Sequence, residues 1–254
     1  MTLARLQPQP VAQHGFSMVE MAVVLVLLGL LGWGVSGAYE NAGTLRERDL
    51  ASRTGEALQQ ALRAFVLANA RLPCPDLSGS GWEGDASGNC PAGTEAGWLP
   101  YRALGLDLPP PLLKAGYSVY RNAAAPAGNA DLAVRQERTG DSAGSQNYQN
   151  VNDFIVGLNW AQAAGLQTGH TRLTGNGGAD GAIDCTANVR SNPAYWLVVP
   201  LQDRDNNGDR FDSVHQLGFN CAYAPGTALN LNWDDVVLAD SPAALAGWLA
   251  ANTP

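Results

Sequence analysis

Lysine is almost missing: Lys114 is the only one in 254 residues, and the other basic side chains of a Lys+Arg total of 15 are arginine. No cluster of them is interleaved with aromatics, and the formal net charge is −8. That balance argues against a nucleic-acid surface, which needs a basic patch or stripe. Cysteine is scarce too, at four residues, Cys74, Cys90, Cys185 and Cys221. No C-x-x-C spacing occurs among them, so neither zinc nor a thioredoxin-like centre is indicated. In an oxidising compartment the even count reads as two disulfides. Charge disappears altogether between Glu20 and Glu40, about nineteen residues, close to the ~20 that carry a helix across a bilayer.

The order of segments around that run is informative. A secretory signal places a charged region, a short apolar region and then a small-residue cleavage site. Here a polar leader, Met1 to Gly15, comes first, and the candidate cleavage site precedes the apolar run. The apolar segment therefore survives processing and remains as an anchor. Beyond its first fifty or so residues the chain is long enough for one core-forming domain of ordinary size.

The junction Gly15-Phe16, then Ser17-Met18-Val19-Glu20-Met21 and a long apolar stretch, resembles the N-terminus of type IV pilins and type II secretion pseudopilins. The resemblance implies that a membrane-bound prepilin peptidase cuts after Gly15 and N-methylates Phe16. A glycine suits the cut because a side chain there would clash in a narrow protease cleft. A Glu20 carboxylate near hydrocarbon costs roughly 2.5–3.5 kcal/mol and calls for a partner. Cleavage creates one, the cationic amine of Phe16, about one helical turn away. A staggered neighbouring subunit would present the same amine, and the resemblance implies that this pairing sets register in a filament. The alternative is a glutamate snorkelling to the headgroup boundary of a plain anchor.

The implied fold class is α+β and pilin-like, a long N-terminal α-helix packed on a mostly antiparallel β-sheet head with long disulfide-closed loops. The segments are then a leader at 1–15, a helix at 16–70 (transmembrane over 16–37, amphipathic stem over 38–70) and a globular head at 71–254. The implied role is a non-catalytic minor pilin or pseudopilin, minor because the head is larger than many major pilins carry. Implied partners are the prepilin peptidase, other pilin or pseudopilin subunits, an inner-membrane assembly platform and the membrane itself. The implied location is the inner membrane, single-pass with a periplasmic head, and then the pilus or pseudopilus.

In the stem, Leu58, Ala61, Leu62 and Phe65 recur at helical spacing with Arg and Glu on other faces, which predicts one helix continuing to the stop at Pro73. Gly29, Gly32, Gly34 and Gly37 weaken its membrane half by about 1 kcal/mol each. Gly37 stands where many relatives carry a proline. The resemblance reaches into the head, where "RLPCPD", Cys90 and "GWLPYRALGL" look like a subgroup whose cysteine pair closes the loop leaving the stem. Relatives often continue with Asp-Pro-Trp-Gly-Asn, whereas this chain has "DLPPPLLKAGYSVYR". Of three possible connectivities, Cys74 with Cys90 and Cys185 with Cys221 give the shorter loops. Strands are expected at Tyr117–Arg121, Tyr195–Leu201, around Val214–Tyr223 and at Trp233–Leu238. "NVNDFIVGLNWAQAAGL" and "SPAALAGWLAA" read as helices, the second with a serine cap and Pro242 in its first turn. Gly128 to Asn150, rich in Gly, Asn and Ser, reads as a surface loop.

Two clusters carry candidate chemistry. "GDSAG", Gly140 to Gly144, fits G-x-S-x-G, and His170 or His215 would be its base in a signal-anchored, serine hydrolase-like enzyme. A nucleophile elbow needs an apolar strand before the serine and a helix after it, and "RQERT" and "SQNYQN" supply neither, so a plain turn is the expectation. "DRDNNGDRFD" sets Asp203, Asp205, Asn207 and Asp209 at alternate positions around Gly208, like the first half of a calcium loop, with Asp212 beyond. Val214 occupies the position of the bidentate glutamate, so the full pattern fails. Calcium in a calcium-dependent binding domain, and an Asn207-Gly208 hairpin turn, are the two readings; no other cofactor is indicated.

Overall fold

The chain is described here by a computed structural model covering residues 17–141, 148–175, 180–227 and 232–253, excepting the side chains at 32, 34–42 and 180. The elements, in chain order, are α1 (Met18–Asn69), β1 (Ala96–Trp98), β2 (Gly116–Val119), β3 (Arg121–Asn122), β4 (Ala130–Asp131), α2 (Val151–Ala163), β5 (Arg172–Thr174), β6 (Val189–Ser191), β7 (Tyr195–Val199), β8 (Cys221–Tyr223), β9 (Val236–Asp240) and α3 (Pro242–Asn252). Two compact units divide between Arg46 and Glu47.

The first unit contains the start of α1. Ser17 caps it: its Oγ accepts the Glu20 N–H at 3.2 Å, and the Glu20 carboxylate accepts the Ser17 N–H at 2.8 Å. This reciprocal capping box satisfies two amides that a helix start leaves without partners. The apolar side chains behind it are exposed, from Met18 at 93% to Leu31 at 66%. Side chains are described without a break only from Ser17 to Leu31 in this run. Among the described residues, no helix is long and apolar enough to cross a membrane.

In the second unit, Ala51, Leu58, Leu62 and Val66 form a stripe on α1 buried in the main core, as three- and four-residue spacing requires of one helix face. Gly55 lies on the same stripe, where a Cβ would run into the Leu238 side chain of β9, so the helix sits close on the sheet because glycine is there. The helix ends at Asn69. Ala70 takes a left-handed φ of +53° and donates its N–H to the Val66 carbonyl at 2.8 Å, the usual way a last turn closes.

The main sheet is antiparallel in the order β1-β2-β7-β9. Every residue of β2 and β7 is buried, as central strands demand. A smaller sheet, β6-β5-β8, is mixed, with β5 and β8 parallel, and β3 pairs with β4. Helix α2 starts from an Asn150–Asp153 capping box and α3 from Ser241, with Pro242 in its first turn.

Two expectations need correction. The stretch from Gly128 to Asn150 is not wholly a surface loop, because Ala130, Asp131, Leu132 and Ala133 are buried; β4 pairs with β3, and the Leu132 carbonyl accepts the Leu72 N–H. The run around Val214–Tyr223 is strand only over Cys221–Tyr223, since its earlier part wraps acidic side chains instead of pairing.

The disulfides join Cys74 to Cys90 and Cys185 to Cys221. Inside the first loop, Asp76 is fully buried and its carboxylate accepts the N–H groups of Ser78, Gly79 and Gly81 at 3.0, 2.8 and 2.6 Å. The lone lysine closes the same region, Lys114 Nζ donating to the Gly79 carbonyl at 2.5 Å. Arg121 ties the loop's far end to the body, through Pro91 and Thr94 carbonyls on one side and the Asp131 carboxylate on the other.

Candidate functional site

The N-terminal site begins at a residue outside the described ones: Gly15 and Phe16 both lie there, and so does the proposed cut. Glu20 lies within them, and the structure changes how it is understood. The sequence leaves its carboxylate without a partner until cleavage frees an amine, but the Ser17 N–H already provides one. Ser17 follows Phe16 in the chain, and the Glu20 carboxylate is held by its own helix cap. The helix N-terminus, with its partial positive charge, further favours an acid at this position.

The second site lies in the long connection from β7 to β9. It begins as the sequence suggests, but the turn is no β-hairpin: among the described residues no strand flanks Asn207-Gly208. Instead Asp203 organises it, accepting the Asn207 N–H at 3.1 Å and the Gly208 N–H at 3.1 Å. Asn206 and Gly208 take left-handed φ values of +58° and +94°, which asparagine and glycine tolerate best. Asp203, Asp205 and Asp212 offer carboxylate oxygens within 4.8 Å of one another. Asp209 turns elsewhere, accepting the Phe211 N–H at 2.7 Å, and the Asn207 amide reaches the Phe211 carbonyl at 3.2 Å. Of the expected set, Asp203, Asp205 and Asp212 are thus brought together, while the Asn207 and Asp209 side chains bond to the backbone of Phe211.

The sequence did not single out the pair Asp234-Asp235 at the threshold of β9. Asp212, Asp234 and Asp235 are all buried, with carboxylate oxygens again within 4.8 Å. Asp212 is common to both groups. It accepts the Arg204 N–H at 2.8 Å and the Asp234 N–H at 3.0 Å; burial, together with the charges of Asp235 and Asp234, outweighs those amides and pushes its carboxyl up to about 6. Burial pushes Asp235 up as well, against the hydrogen bond from His215. The signal available in the sequence was the Asp-Asp doublet in "LNWDDVVL", which looked like the start of a strand.

Each of the two candidate histidines is held by partners of its own. His170 Nδ1 lies 2.6 Å from Glu95 Oε1, and Glu95 also accepts from Thr171 and Asn220. His215 is fully buried between Asp235 and the Tyr223 backbone. Ser142 of "GDSAG" lies outside the described residues.

Residues 11–36 match the family model of the prokaryotic N-terminal methylation motif, the signature of type IV pilins and pseudopilins. The match covers about a tenth of the chain. No curated protein and no solved structure matches it. The signature supports a pilin-like or pseudopilin subunit in general, a structural class generally without catalysis, cut by prepilin peptidase and assembled with other pilins. The α+β architecture, antiparallel sheet and two disulfides are consistent with that class.

Proposed function

We propose that the chain is a minor pilin or pseudopilin: made as a prepilin, cut between Gly15 and Phe16, methylated on Phe16, held in the inner membrane over 16–37 and then packed into a filament by the same helix. The observation that carries this reading is the methylation signature at residues 11–36, which overlaps the start of a helix whose large apolar side chains from Met18 to Leu31 are uncovered. A surface of valine, leucine and methionine of this size needs lipid or protein against it. Lipid serves before assembly and neighbouring helices after it, so one segment meets both demands. The sequence uncharged from Glu20 to Glu40 supports the membrane step, at about nineteen residues against the ~20 required.

Glu20 acts at assembly in this reading, its carboxylate pairing with the Phe16 amine of the same or an adjacent subunit. Replacing it with alanine removes the cost of a carboxylate near hydrocarbon, so insertion into membranes should stay intact or improve. Incorporation into filaments should fall. Sheared filaments from cells producing wild type or Glu20→Ala, compared by immunoblot at equal membrane levels, test this. Equal amounts in both filament fractions would remove Glu20 from assembly.

A further inference from the structure

The main sheet has two edges, and they are finished differently. At one, β1 is closed by Asp76, which exchanges backbone hydrogen bonds with Trp98, 2.9 Å in each direction. At the other, β9 pairs with β7 over five residues in unbroken register and has no strand on its outer side among the described residues. Val236-Val237-Leu238-Ala239 carries no charge, proline or bulge. Natural edges are blunted by such devices, because the outward N–H and C=O groups otherwise stand ready to pair with another chain. The smaller sheet shows the contrast. Its edge strand β6 is three residues long and presents an exposed Arg190, and on β8 the Tyr223 N–H is taken by His215 Nε2 at 3.2 Å.

Beside β9 lies a cavity of about 180 Å³, walled by Arg48 and Ser52 of α1, by Tyr223 and Thr227, and by Asp235 and the strand itself. The Asp235 side chain is 0% exposed, yet its Oδ1 has no hydrogen-bond partner, and neither has the buried Tyr223 hydroxyl. An unanswered buried carboxylate is costly. The oxygens around it are already used: Asp235 Oδ2 accepts from His215 and the Asp212 N–H, both Asp212 oxygens accept backbone N–H groups, and Asp234 accepts from the Gln202 N–H and Arg204 Nε. His215 adds no charge, since its Nε2 is an acceptor and its proton sits on Nδ1, a neutral tautomer. Three carboxylates therefore have one bonded guanidinium among them, and one oxygen is left for a donor from outside.

We propose that β9 and the cavity beside it receive an extended segment of another protein chain, paired as an added strand, with an arginine side chain placed against Asp235. A single free carboxylate oxygen suits a charged N–H donor. Arginine fits best, because its guanidinium offers five donors to a site with two unpartnered oxygens and is more weakly hydrated than an ammonium, so its burial costs less. Main-chain pairing then supplies affinity and the pocket supplies the choice of side chain, the division of labour of strand-addition sites. All of these groups belong to the second unit, so occupation of the site is independent of the cut after Gly15.

The test titrates the full-length chain, in a mild uncharged detergent, with the blocked peptide acetyl-Ser-Val-Thr-Arg-Thr-Val-Ser-amide by calorimetry. The peptide should bind, and hydrogen exchange should show new protection on β9. Glutamine in place of the peptide's arginine should weaken binding at least about tenfold, the loss expected of a charge-assisted hydrogen bond. N-methylation of the two peptide valines, which removes backbone donors and leaves the arginine, should abolish the protection on β9. In the chain, Asp235→Asn should erase the preference for arginine over glutamine; should that variant lose its unfolding transition, the three peptides on the wild-type chain decide alone. A wild-type chain that binds nothing at millimolar peptide would mean that a proton or a water answers Asp235, and would overturn the proposal. So would equal binding of the arginine and glutamine peptides, or protection of β9 that survives N-methylation.

Discussion

Arg63 on α1 holds Asp240 at the end of β9 through two hydrogen bonds, Nε to Oδ2 at 3.0 Å and Nη2 to Oδ1 at 2.9 Å. Gln59 and the Tyr195 hydroxyl donate to the same carboxylate, at 3.1 and 2.6 Å. One acid thereby joins the stem, β7 and β9, and the hydrogen bond to Asp240 is the leading reason that the Arg63 guanidinium is held above its ordinary value. Because these side chains are only 17% and 6% exposed, a double-mutant cycle of Arg63→Ala and Asp240→Ala should give a coupling above about 1 kcal/mol. The Arg53–Asp49 pair on the same helix, 74% and 61% exposed, should give less than about 0.5 kcal/mol. Equal couplings in denaturant titrations would remove the special role of Asp240.

Gly55 should not accept a large side chain. Its Cβ position is already taken by Leu238, so Gly55→Leu should cost about 1–3 kcal/mol by overpacking. Leu238→Ala in the same chain should recover part of that. Urea unfolding of the two variants checks it, and a Gly55→Leu protein as stable as wild type would contradict the close packing of α1 on β9.

The α2 cap predicts a pH dependence. Burial pushes Asp153 up, but N–H groups of Asn150, Arg138 and Thr139 outweigh it and hold the carboxyl below its ordinary value. A depressed value means that the folded state binds this proton more weakly than the unfolded chain. Its contribution is therefore complete above the unfolded value of about 3.9 and is lost as pH falls through the folded one. The stability difference between wild type and Asp153→Asn should accordingly be constant at neutral pH and shrink below about pH 4. A difference that grows on acidification would reverse the assignment.

The two bridges should differ in strength. They span 16 and 36 residues, for which loop entropy gives about 3 and about 4 kcal/mol. Replacing Cys185 and Cys221 together by alanine should therefore lower stability at least as much as replacing Cys74 and Cys90. Thermal unfolding of the two double variants makes the comparison, and a clearly larger loss from the Cys74–Cys90 pair would show that its surroundings, Arg121 above all, matter more than chain entropy.

Much of this architecture was legible because it rests on local patterns. The Leu58–Leu62 spacing, Ser241-Pro242 and the apolar run at Tyr195 each announce an element through neighbours in the chain. The acidic pocket was only half legible. Asp203 and Asp205 advertise a turn, but Asp234 and Asp235 meet Asp212 beside the pairing of β7 with β9, a contact across about forty residues that periodicity does not encode. Asp209 and Asn207 looked equivalent to their neighbours, and only the closing of the turn on Phe211 separates them. Leu132 was hidden for a similar reason, since its burial depends on the backbone of Leu72 arriving from the end of α1.

The central claim concerns the first residue of the mature chain. Intact-mass and peptide mass spectrometry of protein purified from membranes of a host with a prepilin peptidase should find a chain beginning at Phe16 and carrying one methyl group on its amine, while Gly15→Val should retain the leader. A mature chain that begins at Met1, or one that is processed equally in wild type and Gly15→Val, would contradict the account.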